Sequence, residues 1–247
     1  MRTTEEWLLA FNQYYQNITS NKAPGLEPYE ISLFLTDAQR AVVLGICNGS
    51  LGEPFESNEQ VMNYLAPLVR QAKIQEPETD EALPRIAGSK SYIYELPEDM
   101  MFRTYEFCVI SDSRCGDMNA AVIPVTQDEY WRTSRDPFKR QNSRKVLRLV
   151  YADSEYKSVV PQSVGSGSGS ADGLQWKKYS EIVSDTKPKS YNVRYIKYPE
   201  PIILEDLTSS GLSIEGKQSP SVCLLDESLH NAILVKAVQI AQSVWSA

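Results

Sequence analysis

The stretch LHNAILVKAVQIAQSVW at residues 229–245 is a helix that is too apolar for a single neighbour to cover. It has 11 apolar positions, and at 100° per residue its polar side chains fall within an arc of about 140°. The remaining arc of about 220° exceeds the ~100° stripe that one core needs. We therefore predict that this helix is covered on several sides, either by its own chain or by neighbouring subunits. Lys236, Gln239 and Gln242 interrupt the apolar run, which argues against a membrane span.

Further helices are predicted near the start of the chain. Thr3 and Glu6 have the spacing of a capping box, and an apolar face that includes Trp7, Phe11 and Tyr15 follows at helical spacing. A second helix is predicted to begin near Glu27-Pro28 and to end at Asn48-Gly49. A third, shorter helix is predicted within residues 58–73, kinked or ended around Pro67.

The hydrophobic period changes from helical spacing to two after residue 90. Alternating or apolar runs predict strands at residues 91–96, 102–110, 120–125, 145–151 and 190–198. Thr126 and Glu129 predict one capped helical turn between two of these strands. The run GSGSGS at residues 165–170 cannot pack, so we expect a flexible loop there.

This order of elements predicts an α+β fold: a helical bundle formed by the N-terminal helices and the C-terminal helix, with an inserted antiparallel β region. The expected divisions are a helical region at 1–74, an acidic loop at 75–90, a β-rich region at 91–207, and a C-terminal segment with its helix at 208–247. In this arrangement the last segment rejoins the first helical region.

The sequence offers little catalytic chemistry. His230 is the only histidine, and the four cysteines show no CxxC pair, so we expect no metal site and predict reduced or core thiols. No phosphate-binding glycine pattern occurs either. We predict no catalytic residue, no cofactor and no enzymatic activity; an acid-catalysed hydrolase built on Glu98 or Asp99 is a third alternative.

One cluster of cations stands out in a chain whose net charge is −7. We call residues 132–148 the basic segment. It contains seven cations opposed only by Asp136: Arg132, Arg135, Lys139, Arg140, Arg144, Lys145 and Arg148. The segment is a solvated surface, a face for phosphate backbones, or a docking face for an acidic protein. Of the two binding roles we favour the acidic protein, since the whole chain repels nucleic acid at longer range.

Four stretches together resemble a known family. They are TTEEWLLAFNQYYQNITSNKAPGLEPYEISLFLTDAQRAVV at 3–43, PVTQDEYWRTSRDPFKR at 124–140, VRYIKYPEPIIL at 193–204 and LDESLHNAILVKAVQIAQ at 225–242. They are similar to the head–tail connector (ring or adaptor) proteins of short-tailed, crAss-like bacteriophages. The likeness misses mainly residues 50–90 and 152–188.

The resemblance implies a non-enzymatic structural virion protein at the head–tail junction, assembled in the host bacterial cytoplasm. Twelve copies are expected to form a ring beneath the portal protein and to continue the channel that DNA crosses, with neighbouring ring or tail proteins as further partners. It implies no cofactor and no membrane contact. The alternative function is a nucleic-acid-binding virion or phage accessory protein that uses the basic segment.

Ten residues are the interface candidates. Trp7, Phe11 and Tyr15 on the first helix and Leu234, Val238 and Trp245 on the last are expected to meet neighbouring subunits, or else to fill the core. Arg135, Lys139, Arg140 and Arg144 are expected to dock an acidic neighbour.

Overall fold

The computed structural model describes residues 2–19, 25–49, 59–78, 85, 87–112, 116–150, 156–161 and 174–245. The chain divides into two compact units. The helical unit comprises Met1–Val69 and Ile196–Ala247, and the sheet unit comprises Arg70–Tyr195. The Gly/Ser run at 165–170 lies outside the described residues.

The sheet unit is built on one mixed sheet of eight strands. The strands are β1 (Val69–Ile74), β2 (Ser91–Glu95), β3 (Met100–Asp112), β4 (Gly116–Thr126), β5 (Lys145–Val150), β6 (Tyr156–Pro161), β7 (Leu174–Val183) and β8 (Ser190–Lys197). Seven of them follow the order β1-β8-β3-β4-β5-β7-β2, and β6 pairs with β7. Several neighbours in the sheet, such as β8 with β3 and β7 with β2, are distant in sequence, so much of the sheet depends on non-local pairing.

The pairing of β4 with β5 is parallel and runs from Ala121 opposite Lys145 to Thr126 opposite Val150. Parallel neighbours need a crossover connection, usually a helix. Here it is the helix α4 (Gln127–Arg135) followed by a turn. The Thr126 hydroxyl accepts a hydrogen bond from the Glu129 amide at 3.3 Å, so the predicted cap at this helix is confirmed.

Two apolar clusters cover β5 from opposite sides. Val146 belongs to a cluster with Tyr94, Cys108 and Tyr191. Leu147 and Leu149 belong to a second cluster that includes Tyr130 of α4. Successive side chains of a strand point to opposite faces, so β5 is buried on both.

The helical unit contains α1 (Thr4–Thr19), α2 (Pro28–Cys47), α3 (Glu59–Leu65) and α5 (Glu227–Trp245), numbered in chain order with α4 of the sheet unit. Helices α1, α2 and α5 pack against one another. The predicted starts of α1 and α2 are confirmed: Thr3 and Glu6 exchange capping hydrogen bonds, as do Glu27 and Glu30. Asn48 caps the end of α2 and Gly49 follows at φ 75°, as predicted.

The predicted fold class, a helical bundle with an inserted antiparallel β region, is wrong. The described chain is mainly a mixed sheet of eight strands accompanied by five α-helices. The strands β1, β6 and β7 were not predicted. A period of two also cannot show that β4 and β5 run parallel, because register and direction are set by pairing partners distant in sequence.

The helix predicted within 58–73 ends at Leu65, close to the predicted break at Pro67, and the residues after the break do not continue it. A 3-10 turn over Ala66–Leu68 contains Pro67, and the chain then enters β1. Proline removes a backbone donor and disfavours helix in the residue before it, so the helical pattern ends at this point.

Buried hydroxyls on α2 hold an extended segment of the helical unit. Thr36 Oγ1 accepts from the Ile202 amide at 3.1 Å, and Ser32 Oγ accepts from the Leu204 amide at 3.1 Å. The Thr36 hydroxyl also donates to the Ser32 carbonyl, and the Ser32 hydroxyl donates to the Pro28 carbonyl. Both hydroxyls and both amides of this contact are therefore satisfied without water.

We expect Ser32→Ala to lower the free energy of unfolding by about 1–3 kcal/mol, because it leaves the buried Leu204 amide without an acceptor. Chemical denaturation followed by circular dichroism measures the change. Ser134→Ala is the matched control: this serine also bonds a carbonyl of its own helix, that of Trp131, but lies near the surface. Equal, small effects for both variants would contradict the role of Ser32.

Candidate assembly surfaces

The apolar interface candidates on the terminal helices are covered by the chain itself. Trp7, Phe11, Leu234 and Val238 are fully buried, and Tyr15 is nearly so. The side chain of Trp245 lies outside what the structure describes. A role for these residues between subunits stays a prediction, and in this conformation all five described side chains contribute to the core.

Helix α5 has less uncovered apolar surface than its sequence predicts. Its buried positions run from Leu229 to Ala241, and at 100° per residue they span about 180°. Val235 and Val244 remain exposed on α5, and Leu44 remains exposed on α2. The start of α5 and the end of α2 also border an apolar groove of about 200 Å³, lined by Ala41, Val42, Gly45, Ile46, Leu229, Ala232 and Lys236.

The only histidine lies at the contact of α1 with α5. The ring of His230 is 4.9 Å from the ring of Trp7, and its Nε2 is 3.2 Å from the Leu225 carbonyl oxygen. Burial, together with nearby Arg2, lowers the pKa of His230 below its usual value. We therefore expect a neutral core histidine at neutral pH.

The thiols that the structure describes are core residues. Cys47, Cys108 and Cys223 are free and buried, and burial raises the pKa of Cys47 and Cys223 to about 11 and that of Cys108 to about 12. A thiol with such a pKa is a poor nucleophile at neutral pH. Among the described residues, no cluster of His, Cys, Asp and Glu could hold a metal ion. Cys115 lies outside the described residues.

The basic segment lies on the crossover between β4 and β5 and divides into two groups. Arg132, Arg135, Lys139, Arg140 and Arg144 are exposed, and their side chains form no ion pair with any residue that the structure describes. Lys145 instead donates to the Phe138 carbonyl at 3.0 Å, and Arg148 Nε is 2.8 Å from Glu106 Oε1. The four predicted docking cations are therefore all exposed on this crossover.

Phe138 is the most exposed large apolar side chain described, at 91%. A structured turn holds it: Asp136 Oδ1 accepts from the Phe138 amide at 2.9 Å, and the Asp136 carbonyl accepts from the Arg140 amide at 2.9 Å. Asn142 Oδ1 fixes the Arg144 amide in the same way, at 2.9 Å. A large aromatic ring that a fixed turn holds in solvent among cations is a candidate interface anchor.

Sequence reasoning missed Phe138 as a functional candidate. One aromatic in a basic segment is too few to indicate base stacking, so the sequence did not single it out. The sequence did contain one indication that Phe138 is exposed: it follows Pro137 directly and has polar residues around it.

A pocket containing Arg103, Glu106 and Arg148 was missed as well, because its residues are distant in sequence.

The comparisons with known proteins agree on one class. The chain belongs to the phage tail ring protein 3/4 family, which it matches over residues 2–246. It is 34% identical over 227 residues to "Ring protein 3" of Bacteroides phage crAss001, covering 87% of this chain and 84% of that protein. It is 28% identical over 244 residues to "Ring protein 4/5" of the same phage, covering 95% and 90%.

The chain is thus a structural ring protein of a crAss-like phage, and the resemblance drawn from its sequence is confirmed. In the part of the chain that the structure describes, no helix has the length and apolarity required to cross a membrane.

We expect the helical unit to lose stability as the pH falls below about 6.5, the ordinary histidine pKa. Because the folded-state pKa of His230 is lowered, the unfolded chain binds a proton first, and stability declines until the pH passes the folded-state pKa. Urea unfolding of the full chain between pH 7.5 and 5.5 measures this. His230→Gln is expected to flatten the dependence over that range; an unchanged slope would show that another group is responsible.

Proposed function

We propose that this ring protein is a non-enzymatic connector whose copies associate side by side into a closed ring of twelve. The ring joins the portal of the phage head to the tail and continues the channel through which DNA passes. It assembles in the host cytoplasm and remains in the virion. Membership of the ring protein family supports this proposal, and the surface of the sheet unit suggests how the copies meet.

The observation that carries the proposal is the separation of charge along the chain. The basic segment has seven cations and one carboxylate, a net of +6, so the other residues carry −13 to give the total of −7. A cationic face on one copy therefore complements the acidic remainder of the next. A contact between two different faces of neighbouring copies is heterologous. Such contacts close into a ring when the rotation that relates one copy to the next is a whole fraction of a turn.

Phe138 supplies the apolar part of this contact. Charge pairs at an exposed rim contribute mainly to rate and specificity, whereas a buried aromatic anchor contributes most to affinity. Trp131 of α4 is also exposed, and we assign it to the same contact. We therefore assign Phe138 to the centre of the contact and Arg135, Lys139, Arg140 and Arg144 to its rim.

The helical unit supplies a second surface, for the portal or for an adjoining ring. Leu44, Val235 and Val244 are apolar and exposed there, and the groove between the end of α2 and the start of α5 adds to the apolar surface of this unit. Trp7, Phe11, Leu234 and Val238 support this surface from beneath, since they fix the helices that carry it.

The mass of the purified chain, alone and mixed with its cognate portal, tests the proposal. We expect a multimer that forms more completely at low salt, because rim charges are screened by ions. Phe138→Ser is expected to weaken association by about 2 kcal/mol, or roughly 30-fold in dissociation constant. Multi-angle light scattering across a concentration series gives both quantities.

Leu212→Ser is the matched control, because Leu212 is also an exposed apolar residue but lies in the helical unit. Association that is unaffected by Phe138→Ser, or lowered equally by Leu212→Ser, would contradict the assigned contact. Tight duplex binding by the chain that falls steeply with salt would instead favour the nucleic-acid-binding alternative.

A further inference from the structure

Apart from the exposed cations, the sheet unit holds a recessed pocket that contains two arginines. We call it the arginine pocket; its volume is about 320 Å³, and it is lined by Arg103, Thr104, Tyr105, Glu106, Ala121, Val122 and Arg148. These residues come from β3, β4 and β5, so the pocket lies on the middle strands of the sheet. The side chains of Arg103, Glu106 and Arg148 are only 14%, 10% and 13% exposed.

The single carboxylate of the pocket is already occupied by two donors. Glu106 Oε1 accepts from Arg148 Nε at 2.8 Å, and Glu106 Oε2 accepts from the Tyr191 hydroxyl at 2.5 Å. Burial raises the pKa of Tyr191, so this hydroxyl keeps its proton and acts as the donor. Glu106 is therefore committed to Arg148 and Tyr191.

The Nε of Arg103 is left without a hydrogen-bond acceptor. This nitrogen is 3.9 Å from Glu106 Oε2, beyond hydrogen-bond distance, and has no hydrogen-bond partner among the described residues although it is buried. Arg148 bonds Glu106 through Nε, which leaves its terminal nitrogens directed to no described acceptor. A buried N–H without an acceptor is costly, and two guanidinium groups beside one carboxylate leave positive charge that is not neutralised, so the pocket favours an added anion.

The charge of the pocket selects the kind of anion. Two arginines and one glutamate leave a net charge of +1, which one monovalent carboxylate neutralises. A phosphate dianion would leave the pocket with a net negative charge and would be repelled by Glu106. The planar fork of a guanidinium matches a carboxylate, and the wall formed by Tyr105, Ala121 and Val122 suits the aliphatic stem that carries one.

We propose that the arginine pocket binds the carboxylate of an acidic side chain carried by a peptide segment of another polypeptide. Arg103 and Arg148 hold the two oxygens, and Tyr105 and Val122 contact the stem. This inference does not depend on the proposed ring, because it concerns a ligand chemistry that the isolated chain can be tested for.

Nuclear magnetic resonance of the arginine Nε–H groups in the full chain tests the proposal. The probes are sodium acetate and a hexapeptide with one Glu flanked by Val and Leu. We expect saturable shifts of the Arg103 and Arg148 signals with both probes, and at least tenfold tighter binding of the peptide. Sodium phosphate and sodium chloride at matched ionic strength are expected to shift them less.

Arg103→Gln is expected to abolish the saturable shift of the Arg148 signal, and Arg132→Gln, an exposed arginine on α4, is expected to leave it unchanged. Should Arg103→Gln fail to fold, Arg103→Lys keeps the charge without the fork and is expected to bind at least tenfold more weakly. The proposal is overturned by the absence of saturation, by equal shifts at Arg132, or by tighter binding of phosphate. Acetate binding without any gain for the peptide would assign the pocket to free carboxylates and contradict a peptide ligand.

Discussion

The parallel pairing of β4 with β5 is the constraint on which the rest of the sheet unit depends. Two parallel neighbours cannot be joined by a tight turn, so the chain must leave the sheet after Thr126 and return at Lys145. The helix α4 packs Tyr130 onto Val125, Leu147 and Leu149, which covers that face of the sheet. The rest of the crossover is therefore free to project outward, and it carries the exposed cations and Phe138.

The same pairing separates the basic segment into an outer and an inner part. The register sets Arg148 opposite Pro124, and from there its side chain reaches Glu106 on β3. Arg148 thus belongs to a recessed, partly neutralised pocket, whereas Arg135, Lys139, Arg140 and Arg144 face solvent. Two electrostatic surfaces arise from one run of sequence: a broad one that suits an acidic partner surface, and a small one that suits a single carboxylate.

Local features were predictable from the sequence, and non-local ones were not. The capping pair Thr3 and Glu6 and the cap at Thr126 depend on residues three apart, and the structure confirms both. A break around Pro67 was predicted, but the strand β1 was missed because the helical pattern of residues 58–73 continues past this proline. The arginine pocket was missed because Arg103 and Arg148 come together only when β3, β4 and β5 pair.

The helix at 229–245 was predicted correctly as an element. The fraction of its surface that the chain itself covers depends on its packing against α1 and α2, and sequence spacing cannot give that packing.

The central claim is that the crossover between β4 and β5 is the surface through which one copy of this ring protein meets the next. A cryo-electron microscopy map of the head–tail junction of the virion, at a resolution that shows side chains, tests it most directly. We expect density for the Phe138 ring buried against an adjoining copy, with acidic side chains of that copy around it. A map in which every copy leaves Phe138 in solvent, or in which copies meet only through their helical units, would contradict the account.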